Sequence, residues 1–307
     1  MNFGWISPEL RTPEQQKAWE DAYNEMPAFS ISGPLHEAPD KVLLTDVWKH
    51  PDVVAALGFP FPGIHQLTGS CVGAGGGNVL FTTIATEVVQ RGESEKITIP
   101  FWLLTYGRSR YHAGMRGEGE GSFGAAFAKA AKEDGTLDAL AEGLPRFKNS
   151  DGLIWGSSTE MKWSAGDRIA ESFLTSSRVH TVKTTAPCKT AEDVKAAITN
   201  GYAVTCASNW GGQMECPIVE GVLLNKRVTS WGHQMSVQGF FNHKSLGPLF
   251  YVMNQWGLDT HGRCPTGAAP GGFWVRESDM QWICGSGEVF AFSQFEGFPS
   301  RKLSWLI

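Results

Sequence analysis

The sequence predicts an α+β fold in which a helical half precedes a strand-rich half. Two observations carry that expectation. Over residues 71–91, Leu80, Ile84 and Val88 recur at four-residue steps with Phe81 and Ala85 beside them, the spacing of a broad buried helix face. Beyond about Arg178 the apolar residues fall into short strand-like runs at 202–207, 234–241, 249–254, 272–275 and 288–292. A chain of 307 residues forms one large domain or two lobes sharing a core.

The remaining elements follow from local signals. Thr12-Pro13-Glu14-Gln15 starts a helix, with a threonine cap and proline at the first helical position, running through Trp19 and Tyr23 and stopping before Pro27. A loop with Gly33-Pro34 and Pro39 comes next, and residues 41–48 read as a strand or a short helix. Pro60, Pro62 and Gly63 punctuate the chain before the long helix, which Gly92 ends. A second helix spans about 124–134, closed by Gly135. Residues 179–182 alternate like a strand, and 191–200 form a short helix capped by Thr190 and closed by Gly201. The expected organisation is a wrapping arm over 1–60, a helical lobe over 61–175 and a β-rich lobe over 176–307.

Composition narrows the function. A net charge of -5, with no polybasic run, leaves no electrostatic footprint for nucleic acid. No stretch approaches the ~18 apolar residues that span a bilayer, and residues 1–13 lack a cationic start followed by an apolar run. The expectation is a cytoplasmic or virion-associated chain with no membrane or nucleic-acid partner and no cofactor. The six cysteines contain no C-x-x-C pair, and reduced thiols are the default, with Cys206 and Cys216 the one pairing considered. His261 and Cys264 lack further ligands at zinc spacing, so no metal is expected. Residues 73–77 invite a dinucleotide-loop reading, but prolines stand where the preceding strand should be and Asn78 holds the third glycine position.

One constellation carries chemistry. Cys71 opens the long helix, whose N-terminal dipole favours thiolate, and Gly69-Ser70 supplies a tight turn before it. A thiol so placed needs an imidazole within reach and a group holding that ring. His233 before one strand and Asn254 at the end of another are the residues of those types.

These segments resemble the papain-like cysteine peptidases. Gln66-Leu-Thr-Gly-Ser-Cys71, then Gly232-His233, then Asn254-Gln-Trp256-Gly257 follow that family's order, and 271–275 is similar to its glycine-aromatic strand. Gly121-Ser122 resembles its cleft-lining stretch. The resemblance implies a two-lobe fold with an antiparallel, barrel-like β lobe, and cleavage of peptide or isopeptide bonds through a thioester. Cys71 would be nucleophile, His233 its base and Asn254 the orienting group, with Trp256 shielding the His–Asn bond. Gln66 lies five residues before Cys71 where the family has six, so either Gln66 or His65 would stabilise the oxyanion. The resemblance implies a polypeptide substrate.

Two rivals stand beside it. The displaced Gln66 and the glycine-rich helix start motivate a catalytically degenerate structural or binding module of an assembly such as a phage particle, contacting a partner through its N-terminal arm. The other is transamidation or cell-wall amide cleavage on the same fold. Glycines 73, 75, 76 and 77 each cost up to ~1 kcal/mol in a helix relative to alanine, and close packing of the helix start against other backbone is the expected reason.

Overall fold

The computed structural model describes residues 3–33, 36–91 and 96–303, Arg91 through its backbone alone. Gly92 and Pro34 lie outside the described residues.

Helix α1, Pro13–Asn24, starts as its sequence dictates. Thr12 Oγ1 accepts from the Gln15 N–H at 3.2 Å while Gln15 Oε1 accepts from the Thr12 N–H at 3.0 Å, a reciprocal cap. Residues 41–48 hold both expected forms in succession, strand β1 at Lys41–Leu43 and a 3-10 turn at Leu44–Lys49. Helices α2 (Pro51–Leu57), α3 (Cys71–Arg91), α4 (Trp102–His112), α5 (Gly124–Glu133), α6 (Ser157–Ser164) and α7 (Glu171–Ser177) follow.

The strand expected at 179–182 is not formed. Arg178 and His180 donate backbone bonds to Leu174 and Ser177, continuing the end of α7 as a turn, and Val179 is exposed to solvent. The strand comes later, as β2 at Thr184–Pro187. Helix α8, Ala191–Thr199, carries its Thr190 cap. Then come β3 (Val204–Ser208), β4 (His233–His243), β5 (Gly247–Met253), β6 (Gly272–Arg276), helix α9 (Glu277–Ser286) and β7 (Glu288–Ser293).

The strands build one antiparallel sheet in the order β6-β5-β4-β3-β7-β2, with β1 on β4. β4 is long enough to change partners. His233–Val237 pairs with β3, and Gly239–Phe241 pairs with β1. Among the described residues no helix is long and apolar enough to cross a membrane.

The glycines of α3 explain how the central helix is accommodated. A Cβ on Gly73 would stand 2.5 Å from Tyr106 Cβ, and one on Gly77 would stand 2.7 Å from Trp102 Cβ. On Gly76 it would stand 2.1 Å from Phe127 Cζ, and on Gly75 3.2 Å from the Gln234 carbonyl oxygen. The neighbours are therefore mainly side chains of α4 and α5, with backbone contact only at Gly75, which corrects the expectation of backbone packing. The helix is buried on nearly every side through Phe81, as an element apolar all round must be.

Candidate active site

The first residue of α3, Cys71, is fully buried, and its sulfur accepts the backbone N–H of Gln234 at 3.3 Å. Gln234 follows His233 at the start of β4, so the sulfur lies one peptide unit from the imidazole residue. β5 runs beside β4, with Met253 opposite Ser236, and it delivers Asn254 at its end. His233 Nε2 and Asn254 Oδ1 are 2.8 Å apart, and Oδ1 also accepts the Gln255 N–H at 2.7 Å. An oxygen receives both bonds, so His233 Nε2 is the donor. The other ring nitrogen, Nδ1, is buried with no hydrogen-bond partner among the described residues. Trp256 stacks on the His233 ring at 4.6 Å, and Trp231 meets Trp256 edge-on at 5.0 Å.

Glu160 of α6 shapes the turn before Cys71. Its buried carboxylate accepts the N–H groups of Leu67 and Thr68 at 2.9 and 3.0 Å, and both the Thr68 and Ser70 hydroxyls at 2.7 Å. Burial pushes its pKa up despite those donors. Gly69 sits in the same turn, its N–H on Glu120 at 2.9 Å and its carbonyl accepting from Gly121 N–H and the Tyr106 hydroxyl. Of the two oxyanion candidates, His65 turns away to the Asp151 carbonyl at 3.0 Å, while Gln66 is buried with its Nε2 donating inward.

The N-terminal segment runs through the cleft between these two walls. The Phe3 N–H donates to the Gly232 carbonyl at 2.8 Å on the sheet side. On the helical side Ser122 N–H donates to Gly4 and Ser122 accepts from Ile6, both at 2.9 Å. The Phe3 carbonyl receives Gln66 Nε2 at 3.4 Å, and the Phe3 ring packs on Trp256 at 4.4 Å and against His233 at 5.5 Å. Farther along, buried Glu288 accepts Trp5 Nε1 at 2.9 Å, the Ala125 N–H at 2.8 Å and the Arg11 guanidinium, tying the segment down. The wall itself is stiff, because Arg110 donates to the Glu120 and Gly121 carbonyls at 2.7 and 2.8 Å.

This enclosure sets the protonation states. Burial pushes the Cys71 thiol up to about 12 and pulls the His233 imidazole down to about 3, so the pair is neutral in the closed cleft. A histidine held below its ordinary value of 6.5 binds fewer protons folded than unfolded. The stability it contributes is therefore fully present above pH 6.5 and is lost as pH falls through 6.5 toward about 3. We expect tryptophan-monitored unfolding of His233→Gln to lose about one proton of pH dependence in that window relative to wild type, up to roughly 1.4 kcal/mol per pH unit. Equal slopes would contradict the assignment; taking the difference cancels Glu160, which titrates in the opposite sense.

No protein-family model matches the chain, and no curated protein sequence does. Solved structures do. Xylellain, a cysteine protease from Xylella fastidiosa, superposes with a TM-score of 0.56 at 15% identity, covering 87% of this chain and 92% of its own. The fold is papain-like. Procathepsin B from Trypanosoma congolense gives 0.55 at 13% identity over 88% of this chain and 82% of its own, and a digestive procathepsin L 3 of Tenebrio molitor gives 0.52 at 11% over 91% and 79%.

Within this papain-like frame the structure brings together Cys71, His233, Asn254, Trp256, Gln66, Gly69, Ser70, Gly121, Ser122 and Gly232, and it leaves His65 engaged with Asp151. The six cysteines are free thiols, Cys206 and Cys216 included. Sequence reading missed Glu160, the residues 3–6 inside the cleft and the Arg11–Glu288 pair. Only the apolar Phe3 and Trp5 hinted at burial; nothing in spacing marks the partners, which are separated by up to hundreds of residues.

Proposed function

We propose that this chain is a thiol hydrolase acting on peptide or isopeptide bonds, with Cys71 as nucleophile, His233 Nδ1 as base and Asn254 orienting the ring. The observation that carries it is the buried Nδ1 of His233, unpartnered among the described residues, on a ring whose Nε2 is held by Asn254, one residue from the amide that touches the Cys71 sulfur. In this reading the thiol proton passes to Nδ1 as sulfur attacks the carbonyl carbon. The oxyanion forms toward the Cys71 N–H and Gln66 Nε2; one such donor contributes about 3 kcal/mol. Collapse expels the amine, which takes the proton from Nδ1, and water activated by the same nitrogen hydrolyses the thioester.

In this reading the Phe3 carbonyl, which takes the Gln66 donor at 3.4 Å, occupies the position of a substrate carbonyl, so turnover requires the N-terminal segment to leave. That solved relatives in fold are described as cysteine proteases supports the reading. The test is a broad peptide library digested by a Gly4→Val protein, in which the clash with Gly69 is expected to open the cleft, with and without Cys71→Ala. We expect cleavage in the first and a loss of at least about a thousandfold in the second. Equal activity, or two inert proteins, ends the proposal.

The closed cleft also favours a second reading, a non-catalytic module whose site is filled by its own chain. Alkylation separates the two. An ordinary thiol is scarcely ionised near pH 6, whereas one paired with an imidazole reacts there once the cleft is open.

A further inference from the structure

We propose that His261 is a positioning residue for the Cys71–His233–Asn254 system: its bare Nε2 fixes which way the Asn254 amide faces, and thereby which nitrogen of His233 carries the proton. The inference rests on the catalytic reading above for its importance, and on hydrogen-bond geometry alone for its content.

An asparagine amide is nearly symmetric in shape, and a half-turn exchanges its donor for its acceptor. If Nδ2 faced His233, the imidazole would have to accept at Nε2 and carry its proton on Nδ1, the nitrogen required as base. Two contacts prevent that turn. On one side the Gln255 backbone N–H, which can only donate, points at the Asn254 oxygen from 2.7 Å. On the other side Asn254 Nδ2 lies 2.8 Å from His261 Nε2. An amide nitrogen only donates, so His261 Nε2 must offer a lone pair.

The far nitrogen of His261 completes the assignment. Its Nδ1 lies 2.9 Å from the Met214 carbonyl oxygen, which only accepts, so Nδ1 bears the hydrogen. One neutral tautomer satisfies both contacts, whereas the imidazolium would set an N–H against an N–H. The surroundings keep the ring neutral. His261 is fully buried, edge-on to Phe273 at 4.7 Å, with Trp231 and Trp256 at 6.3 and 6.1 Å, and burial lowers its pKa. The donors therefore run in one direction, from His233 Nε2–H to Asn254, from Asn254 Nδ2–H to His261, and from His261 Nδ1–H to Met214. Each step in the series passes a donor outward from His233, and His233 Nδ1 is left carrying a lone pair.

The test reads the tautomers directly in the intact chain, with ring-nitrogen-labelled histidine and NMR at neutral pH. We expect His261 as the Nδ1–H form and His233 as the Nε2–H form; the reverse tautomer at His261 would overturn the proposal without any variant being made. His261→Leu should shift His233 toward a mixture of tautomers, while His261→Gln, which keeps an acceptor, should restore the wild-type signal. In the Gly4→Val background, the leucine variant should lose about tenfold in kcat with KM within about twofold, and the glutamine variant should recover most of it. In an Asn254→Ala background the leucine change should add nothing. An unchanged His233 signal, or a loss of the same size without Asn254, refutes the positioning role. Should the chain prove inert with Cys71 intact, the hydrolase reading fails while the nitrogen signals still decide this one.

Discussion

Replacing Gly4 with valine is expected to raise the rate at which Cys71 is alkylated at pH 7 by about tenfold or more. Gly4 has φ +114, and a Cβ there would stand 1.9 Å from the carbonyl oxygen of Gly69 and 2.3 Å from its carbon. Both are backbone atoms of a turn held by Glu120, Tyr106 and Gly121, so the turn cannot yield and the segment must. Once Phe3 and Gly4 leave, water reaches the sulfur and the imidazole. The burial that holds the thiol near 12 is then relieved, and its pKa falls toward the ordinary value of 9.0. That difference alone bounds the gain in thiolate at roughly a thousandfold. The lower expectation reflects Trp5 and Arg11, whose bonds to Glu288 keep the downstream end in place.

The measurement is timed iodoacetamide labelling with mass analysis of the Cys71 peptide, using buried Cys188 and Cys206 as internal controls. If labelling of Cys71 is unchanged while the fold is intact, the segment does not occlude the site. Rising labels at all three positions would instead mean general unfolding, and the milder Phe3→Ala then becomes the deciding variant. That change removes the ring covering Trp256 and His233 without disturbing backbone.

The largest loss of stability is expected from Gly76→Ala. Alanine would gain up to about 1 kcal/mol in helix propensity. Against that, its methyl would stand 2.1, 2.2 and 2.7 Å from three atoms of the Phe127 ring, on a helix buried on both sides. Phe127 is fully buried and edge-on to Phe292 at 6.2 Å, so its ring has no free space to enter. Overpacking typically costs about 1–3 kcal/mol and here should reach or exceed the upper figure. The net loss is about 2 kcal/mol or more, which for a chain of 307 residues is a fall in Tm of roughly 3 °C or more by calorimetry. A Tm equal to or above wild type would show that propensity outweighs packing at this position.

Much of the helix pattern was legible because its causes are local. The Thr12 and Thr190 caps, the stop after Asn24 and the start at Cys71 each follow from a few adjacent residues. Helix α4 was not legible, because its residues from Trp102 to Arg110 are all buried and so offer no contrast between apolar and polar faces. The alternation at 179–182 misled for the opposite reason: period-two spacing over so few residues also fits a turn at the end of a helix.

What the sequence by itself determined is the order and chemical type of the parts: a cysteine at a helix start after Gly-Ser, a histidine entering one strand and an asparagine leaving another. Tertiary structure alone decided that Gln66 faces the cleft while His65 turns to Asp151, that Glu160 holds the turn, that His261 backs Asn254, and that Phe3 and Gly4 fill the groove. The physical reason is that each of these depends on a hydrogen bond or steric contact whose direction is set by how β4, β5 and α3 pack. Residue type fixes what a side chain can donate or accept; only the packed chain fixes which partner it meets.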